Sequence, residues 1–154
     1  RKPAQMYATF GRPEGLNWRR HFILTDGTYR AYEMGLIDQD LIYGHLGQAD
    51  NLMQLVKFTR EGGKDVVIAN FRAHPHFTGG YKKYDLSSDY IGAFRMAFEA
   101  MHDCHCVYFQ GASGNINSST RLAGERKYTT CRSHGMALET ILPGFYEGKD
   151  VAPC

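Results

Sequence analysis

The sequence predicts an α/β fold in which helices pack on a mixed β-sheet. In the first half of the chain, alternating and continuous apolar segments predict strands, and Asp26-Gly27 is a strong hairpin-turn signal between two of them. In the second half, apolar residues recur at helical spacing in two segments that flank one more apolar strand. The order of elements predicts a layered architecture: a hairpin, an antiparallel meander, a helix, a strand and a helix.

The strands of the first half are short runs bounded by turn residues. A short edge strand precedes the hairpin, and three strands with short connections then form the meander. The last of these, from Asp65 to Phe71, has a continuous apolar stretch, which indicates burial on both faces and a central place in the sheet. The strands are expected at residues 6–10, 18–24, 28–32, 38–46, 52–59 and 65–71.

Two helices and a strand are predicted for the second half. The first helix begins at the serine pair Ser87-Ser88, a good capping residue type, and runs to about Met101. A buried strand is expected at 105–109. The second helix is expected over 124–142, before Pro143-Gly144.

The bulk composition excludes some function classes. The chain has 154 residues, enough for one domain with a hydrophobic core. Its net charge is +2 with scattered lysines and arginines, so no nucleic-acid surface is predicted. No apolar stretch approaches the roughly 20 residues that span a bilayer. Because Arg1 stands first and residues 148–154 resemble a linker, we expect 1–154 to be a single domain that is part of a larger catalytic domain.

The cysteines do not form a recognisable zinc motif. A single residue separates Cys104 from Cys106, and this spacing is too short for a usual structural zinc site. On a strand, the same spacing puts both side chains on one face. Together with Cys131 and Cys154 they are expected to be free thiols, buried in a reducing compartment.

Two loops leave the carboxyl ends of predicted strands, where α/β sheets commonly place ligands. One carries His74, directly before Pro75, which ends the strand and holds His74 extended. The other, residues 110–119, is rich in small polar residues and presents backbone N–H groups suited to an oxyanion. In the hairpin, Arg19 and Arg20 point to opposite faces, so either one of them enters a cleft or the two are a solvated pair on the hairpin.

Residue types alone leave the chemistry of these loops open. A histidine at a strand end is either a metal ligand or a hydrogen-bonded structural residue, and the second loop is either an anion site or a polar connection. The loop lacks the lysine of a nucleotide-binding P-loop, and Gly111 to Gly114 has the wrong spacing for a serine-hydrolase elbow. The other histidines show no ligand spacing and are expected to be structural or exposed; they are His21, His45, His102, His105 and His134.

Taken in order, four segments resemble the catalytic domain of the neutral/alkaline (non-lysosomal) ceramidase family and its bacterial relatives. They resemble its Asn-Arg-Arg hairpin, its strand ending in Ala-x-His-Pro, its Ser-x-Asp-Tyr helix start and its Gln-Gly-Ala-x-Gly-Asp-Val-Asn loop. In this chain the four segments are Leu16–Phe22 with Asp26-Gly27, Asn70–Pro75, Leu86–Gly92 and Phe109–Asn117.

The resemblance implies a zinc-dependent hydrolase that cleaves an amide (N-acyl) bond with metal-activated water, that of an N-acylsphingosine in ceramidases. The family binds zinc through two histidines, a glutamate and a tyrosine, and His74 matches the second histidine. Arg19 matches the arginine that contacts the substrate near its scissile group. Asn117 matches the position where true ceramidases carry serine, and Asn115 replaces the acid of that motif. The implied partners are a small-molecule or lipid-amide substrate and the remaining parts of the parent catalytic domain.

Two functional hypotheses follow. The segments that supply the other zinc ligands are absent from these 154 residues, so the first hypothesis is a piece of a ceramidase-like amidohydrolase whose zinc site is complete only in the parent. The second is a degenerate, non-catalytic relative that acts as a structural or binding module. The compartment stays open between the cytoplasm and a secreted or periplasmic location.

Overall fold

The computed structural model describes residues 3–31, 37–79, 84–120, 122–125, 127–141 and 152–153. The α/β class is confirmed: two helices pack on a mixed sheet that is accompanied by two small antiparallel sheets. The strands are β1 (Ala4–Gly11), β2 (Trp18–Arg19), β3 (His21–Leu24), β4 (Tyr29–Ala31), β5 (Ile42–His45), β6 (Met53–Arg60), β7 (Val66–Phe71), β8 (His105–Gln110), β9 (Ile116–Asn117) and β10 (Ala152–Pro153). The helices are α1 (Asp89–His102) and α2 (Cys131–Ile141).

The main sheet has the strand order β10-β1-β6-β7-β8. Its pairs are antiparallel except the last, in which β7 and β8 run parallel, with Ile68 opposite Val107. β7 is therefore an interior strand, flanked by β6 and β8, although β6 rather than β7 is the middle strand of the five. Its burial is one-sided, because Val67, Ala69 and Phe71 are fully buried while the alternate residues are half-buried.

The two helices cover the face of the sheet that carries these buried residues, and one core forms between the layers. Its aromatic part comes from α1, through Tyr90, Phe94 and Phe98, and α2 adds Leu138. Gly135 allows the helices to approach closely, because a β-carbon there would lie 2.6 Å from the backbone oxygen of Tyr90 and from the backbone nitrogen of Phe94. A larger residue would push the helices apart.

The hairpin is confirmed as β3 and β4. The strand predicted at 38–46 is shorter than expected and pairs with a different neighbour. A 3-10 turn occupies Gln39–Leu41, and β5 pairs with β3 rather than with β6. The alternation of apolar and polar residues along a strand does not reveal which strand is its partner. The pairing of β5 with β3 buries a second small core of Phe22, Leu24 and Ile37, with Ile42 packed against it.

Other boundaries differ from the predictions as well. Trp18–Arg19 leave the hairpin and pair with β9. The second helix begins at Cys131, where Thr130 and Ser133 exchange side-chain to backbone hydrogen bonds at 3.1 and 3.2 Å. Its predicted end at Leu142 and the turn at Pro143-Gly144 lie outside the described residues. The expected buried strand, β8, exposes Val107 and Phe109.

Near the end of the chain, Ala152–Pro153 lie within the segment predicted to be a linker and pair with β1 at Tyr7 and Ala8. β1 is therefore not an edge strand there.

Cys104 and Cys106 are free and buried, and Cys131 is free and half-buried. Burial raises the pKa of Cys104 to about 11 and that of Cys106 to about 12, so both thiols are protonated at neutral pH. Cys154 lies outside the described residues.

None of the described helices is long and apolar enough to cross a membrane.

Candidate functional site

His74 lies just beyond the end of β7, in a single parallel bridge with Asn117. The backbone N–H of His74 donates to the carbonyl oxygen of Ile116 at 2.9 Å, and the hydroxyl of Ser118 donates to the carbonyl oxygen of His74 at 3.0 Å. The two loops predicted at the carboxyl ends of strands therefore meet here. The His74 side chain is exposed and accessible from solvent.

The segment that carries His74 is tied to the start of α1. Tyr90 donates its hydroxyl to the carbonyl oxygen of Ala73 at 2.6 Å. The Asp89 carboxylate accepts hydrogen bonds at 2.9 Å from both the backbone N–H and the hydroxyl of Thr78. Asp89 has a φ of +51°, a conformation that aspartate tolerates better than most residues. The helix start thus fixes both sides of the His74 loop.

Arg19 reaches the same place through β2. This strand pairs antiparallel with β9, with Trp18 opposite Asn117 and Arg19 opposite Ile116. Consecutive strand pairing therefore links the three residues singled out from the sequence, Arg19, Asn117 and His74. The guanidinium of Arg19 donates to the carbonyl oxygen of Leu46 at 3.3 Å. Across the described ranges, no carboxylate forms a salt bridge with it.

His45 belongs to this site, although the sequence did not single it out. A carbonyl oxygen only accepts hydrogen bonds, so the contact of 2.6 Å between Nδ1 and the Arg19 carbonyl oxygen places the proton on Nδ1. Nε2 then accepts from the Thr120 hydroxyl at 2.7 Å. Burial lowers the pKa of His45. The hydrogen bond to the Arg19 carbonyl oxygen and, to a smaller extent, the Glu125 carboxylate 3.8 Å from Nε2 oppose that shift only in part. His45 is therefore a neutral histidine at pH 7.

Two cavities adjoin Arg19 and His45. The outer one is an open cleft of about 670 Å³ whose walls include Trp18, Tyr43 and Glu125. The indole N–H of Trp18 donates to the carboxylate of Glu125 at 3.1 Å, so a hydrogen bond joins two of these walls. The inner chamber has a volume of about 40 Å³. Its walls are Arg19, Phe22, His45, His76, Asn117, Ser119 and Thr120.

Behind the chamber lies a row of aromatic rings. His76 stacks on Phe77, with ring centroids 5.6 Å apart, and Phe77 packs against His134 at 5.2 Å. His134 is fully buried, and neither of its ring nitrogens has a hydrogen-bond partner among the residues that the structure describes. Burial lowers the pKa of His134 to about 3, so the ring is neutral at pH 7.

The described residues do not make up a complete zinc site. A catalytic zinc normally takes three protein ligands. In the described part of the chain, no group of three or more histidine, cysteine, aspartate or glutamate side chains is arranged to hold a metal ion. The His74 ring stacks on that of His76, with the ring centroids 6.0 Å apart. This chain therefore holds no full ligand set within its described residues.

The sequence found part of the site and missed another part. It pointed to His74, Arg19 and Asn117 through their segments, but it treated His45 as structural or exposed and gave no role to Glu125. Both residues matter only through contacts with distant parts of the chain: His45 with Thr120, and Glu125 with Trp18. No local signal marks such contacts.

Comparisons with known proteins identify the fold. No protein-family model and no curated protein sequence matches this chain. Among solved structures, it is similar to neutral ceramidase from Pseudomonas aeruginosa, with a TM-score of 0.62, 12% identity, and coverage of 97% of this chain and 24% of that one. It is also similar to a ceramidase complexed with C2, with a TM-score of 0.64, 13% identity, and coverage of 97% and 23%. The chain thus has the fold of one part of neutral ceramidase and spans about a quarter of the length of the chains it matches.

Proposed function

We propose that this chain forms one wall of the active site of an amide-bond hydrolase of the ceramidase type. The observation that carries the proposal is the strand pairing that links Arg19, Asn117 and His74 beside a donor-rich cavity. The fold shared with part of neutral ceramidase supports it. The reaction breaks the C–N bond of an N-acyl group, forms a C–O bond from water, and leaves a carboxylate and an amine.

Each of the three residues has a distinct proposed role. The Arg19 guanidinium, which lacks a carboxylate partner among the described residues, donates to the carbonyl oxygen of the substrate. Asn117 donates its side-chain amide to the same scissile group. His74, exposed at the end of the extended segment, is a ligand of zinc in the complete parent site. The other ligands come from outside the described residues, and the rest of the parent domain is the partner of this chain.

The experiment is an amide-hydrolysis assay on the parent protein that includes the sequence flanking these residues. Arg19→Gln removes one donor to the developing oxyanion, and kcat/KM should fall about 100-fold, as it does when a single such donor is lost in other hydrolases. Arg20→Gln is the matched control and should leave kcat/KM nearly unchanged. Equal activity of the two variants would refute the role of Arg19.

A second candidate function is a non-catalytic binding module. Two observations favour it: no three-ligand metal group occurs in the described ranges, and Asn117 stands at a position where the resemblance implies serine. On this proposal the parent protein would bind a polar ligand over Arg19 and would cleave no amide. Ligand binding without any turnover in the same assay would identify it.

A further inference from the structure

The inner chamber and the outer cleft share two walls, Arg19 and His45. These two side chains therefore adjoin both spaces. The volume of the chamber, about 40 Å³, is room for about three water molecules. A formyl or acetyl group fits a space of this size, and a long chain of methylenes does not.

The chamber is closed at the back by a rigid wall. Phe22 is 2% exposed and belongs to the small core with Leu24 and Ile37, so it cannot move aside cheaply. On another side, His76 is held by a hydrogen bond from Nδ1 to its neighbouring His74 carbonyl oxygen at 2.8 Å and by Ser119 at 3.3 Å from Nε2. The space is therefore limited by packed side chains rather than by a loose loop.

The other walls bring hydrogen-bond donors into a chamber whose surface is otherwise largely apolar. Arg19, Asn117 and Ser119 carry donors, and Phe22 is the one wall residue without a polar side-chain atom. A carbonyl or carboxylate oxygen finds donors here, and the apolar surface suits the methyl group of an acetyl. The outer cleft is more polar, because its described lining includes Arg12, Glu14, Gln48, Asn51 and Glu125.

We propose that the inner chamber is the acyl subsite of this hydrolase and that it accepts formyl or acetyl groups, so that the substrates are short-chain N-acyl derivatives of polar amines. This inference rests on the proposed function. It assigns the acyl end to the chamber and the amine end to the cleft. On hydrolysis, the chamber holds the carboxylate product next to Arg19.

Binding of the acid product tests the chamber without any need for turnover. Acetate, butyrate and hexanoate are titrated into the parent protein, and binding is followed by isothermal titration calorimetry. Acetate should bind saturably, and hexanoate should bind at least about tenfold more weakly. Equal affinity for the two acids, or no saturable binding of acetate, would overturn the proposal.

Three variants make the test specific. Arg19→Gln should weaken acetate binding about tenfold, whereas Arg20→Gln should not change it. Phe22→Leu opens the back wall with a modest change in the small core, and it should improve butyrate binding relative to acetate. If Phe22→Leu leaves the ratio of the two affinities unchanged, the back wall does not limit the acyl group and the subsite assignment is wrong.

Failure of the subsite and failure of the proposed function give different results. If the parent protein cleaves N-hexanoyl amides as fast as N-acetyl amides, the hydrolase proposal stands and the short-acyl subsite falls. If acetate binds as expected but the parent cleaves no amide, the chamber is a carboxylate-binding site and the hydrolase proposal is wrong. The acyl role of the chamber, which rests on that proposal, is then wrong as well.

Discussion

The Nδ1–H group of His45 donates to the carbonyl oxygen of Arg19 at 2.6 Å, so a residue of β5 holds the backbone of the strand that carries the proposed substrate-binding arginine. On its other side, the same ring accepts from Thr120, which lies just beyond β9. One neutral histidine thus joins the small three-stranded sheet to the strand pair that carries Arg19 and Asn117. This link explains how short strands keep a defined geometry.

Replacement of His45 by phenylalanine tests this link. Phenylalanine keeps a planar ring beside Phe22 but leaves the Arg19 carbonyl oxygen and the Thr120 hydroxyl without their partner. We expect the free energy of unfolding to fall by about 1–3 kcal/mol, the cost of unpaired polar groups that are largely buried. Chemical denaturation measures it. His105→Phe, at an exposed position on β8, is the control and should change stability by less than about 0.5 kcal/mol.

Asp89 supports a second prediction. Its carboxylate accepts two hydrogen bonds from Thr78 and one from the backbone N–H of Tyr90, at a backbone φ of +51°. Asp89→Asn keeps an acceptor and tolerates this φ, so we expect a loss of about 1 kcal/mol. Asp89→Ala loses every acceptor and adds strain, and the loss should reach about 3 kcal/mol.

The measurement for Asp89 is again chemical denaturation, combined with hydrogen exchange of the Thr78 amide. In Asp89→Ala this amide should exchange much faster than in the unchanged protein. Equal stability of the two variants would show that the Thr78 contacts do not hold the His74 loop.

The pH dependence of stability provides a third prediction. The pKa of His134 falls from an ordinary 6.5 to about 3 because burial disfavours its charged form. Between these two values the unfolded chain binds a proton that the folded chain does not, so stability falls as the pH falls below about 6.5. The slope from this one group approaches about 1.4 kcal/mol per pH unit.

His134→Phe removes this contribution while keeping a ring among Phe77, Tyr90 and Tyr128. Because neither ring nitrogen has a partner among the described residues, the variant loses no known hydrogen bond there. Denaturation midpoints at pH 7, 6 and 5 should therefore decline less steeply in the variant, by up to the slope expected for one group. Parallel declines would mean that His134 is not the group responsible.

Some of this structure follows from local sequence and some does not. The first helix was predicted closely because Phe94 and Phe98 face the core at helical spacing. Of the predicted serine pair, Ser88 makes no capping hydrogen bond, and Ser87 accepts from the backbone N–H of Asp89 at 3.0 Å. The contact of the Asp89 carboxylate with Thr78 depends on the tertiary fold, and no local signal predicts it. Similarly, the strand pattern that predicted β5 does not state its partner, because alternation specifies a face and not a neighbour.

The same distinction applies to the site. The sequence placed His74 and the 110–119 loop at the carboxyl ends of two strands. The parallel pairing of β7 with β8 and the bridge between His74 and Asn117 show that the two loops meet. Their chemical roles stay predictions. The contribution of His45 to the chamber was not predicted, because it depends on contacts made 26 and 75 residues away in sequence.

The central claim is that His74 is a zinc ligand of a site completed outside the described residues. The isolated chain should bind no zinc tightly, since it offers no three-ligand group within those residues. The parent protein should carry zinc in stoichiometric amount. His105→Ala, at an exposed histidine on β8, is the matched control for His74→Ala.

The most direct measurement is the zinc content of the purified parent protein by atomic absorption, for the unchanged protein and both variants. We predict stoichiometric zinc in the unchanged protein and in His105→Ala, and loss of most of it in His74→Ala. Absence of zinc from the unchanged protein, or full retention in His74→Ala, would contradict the assignment.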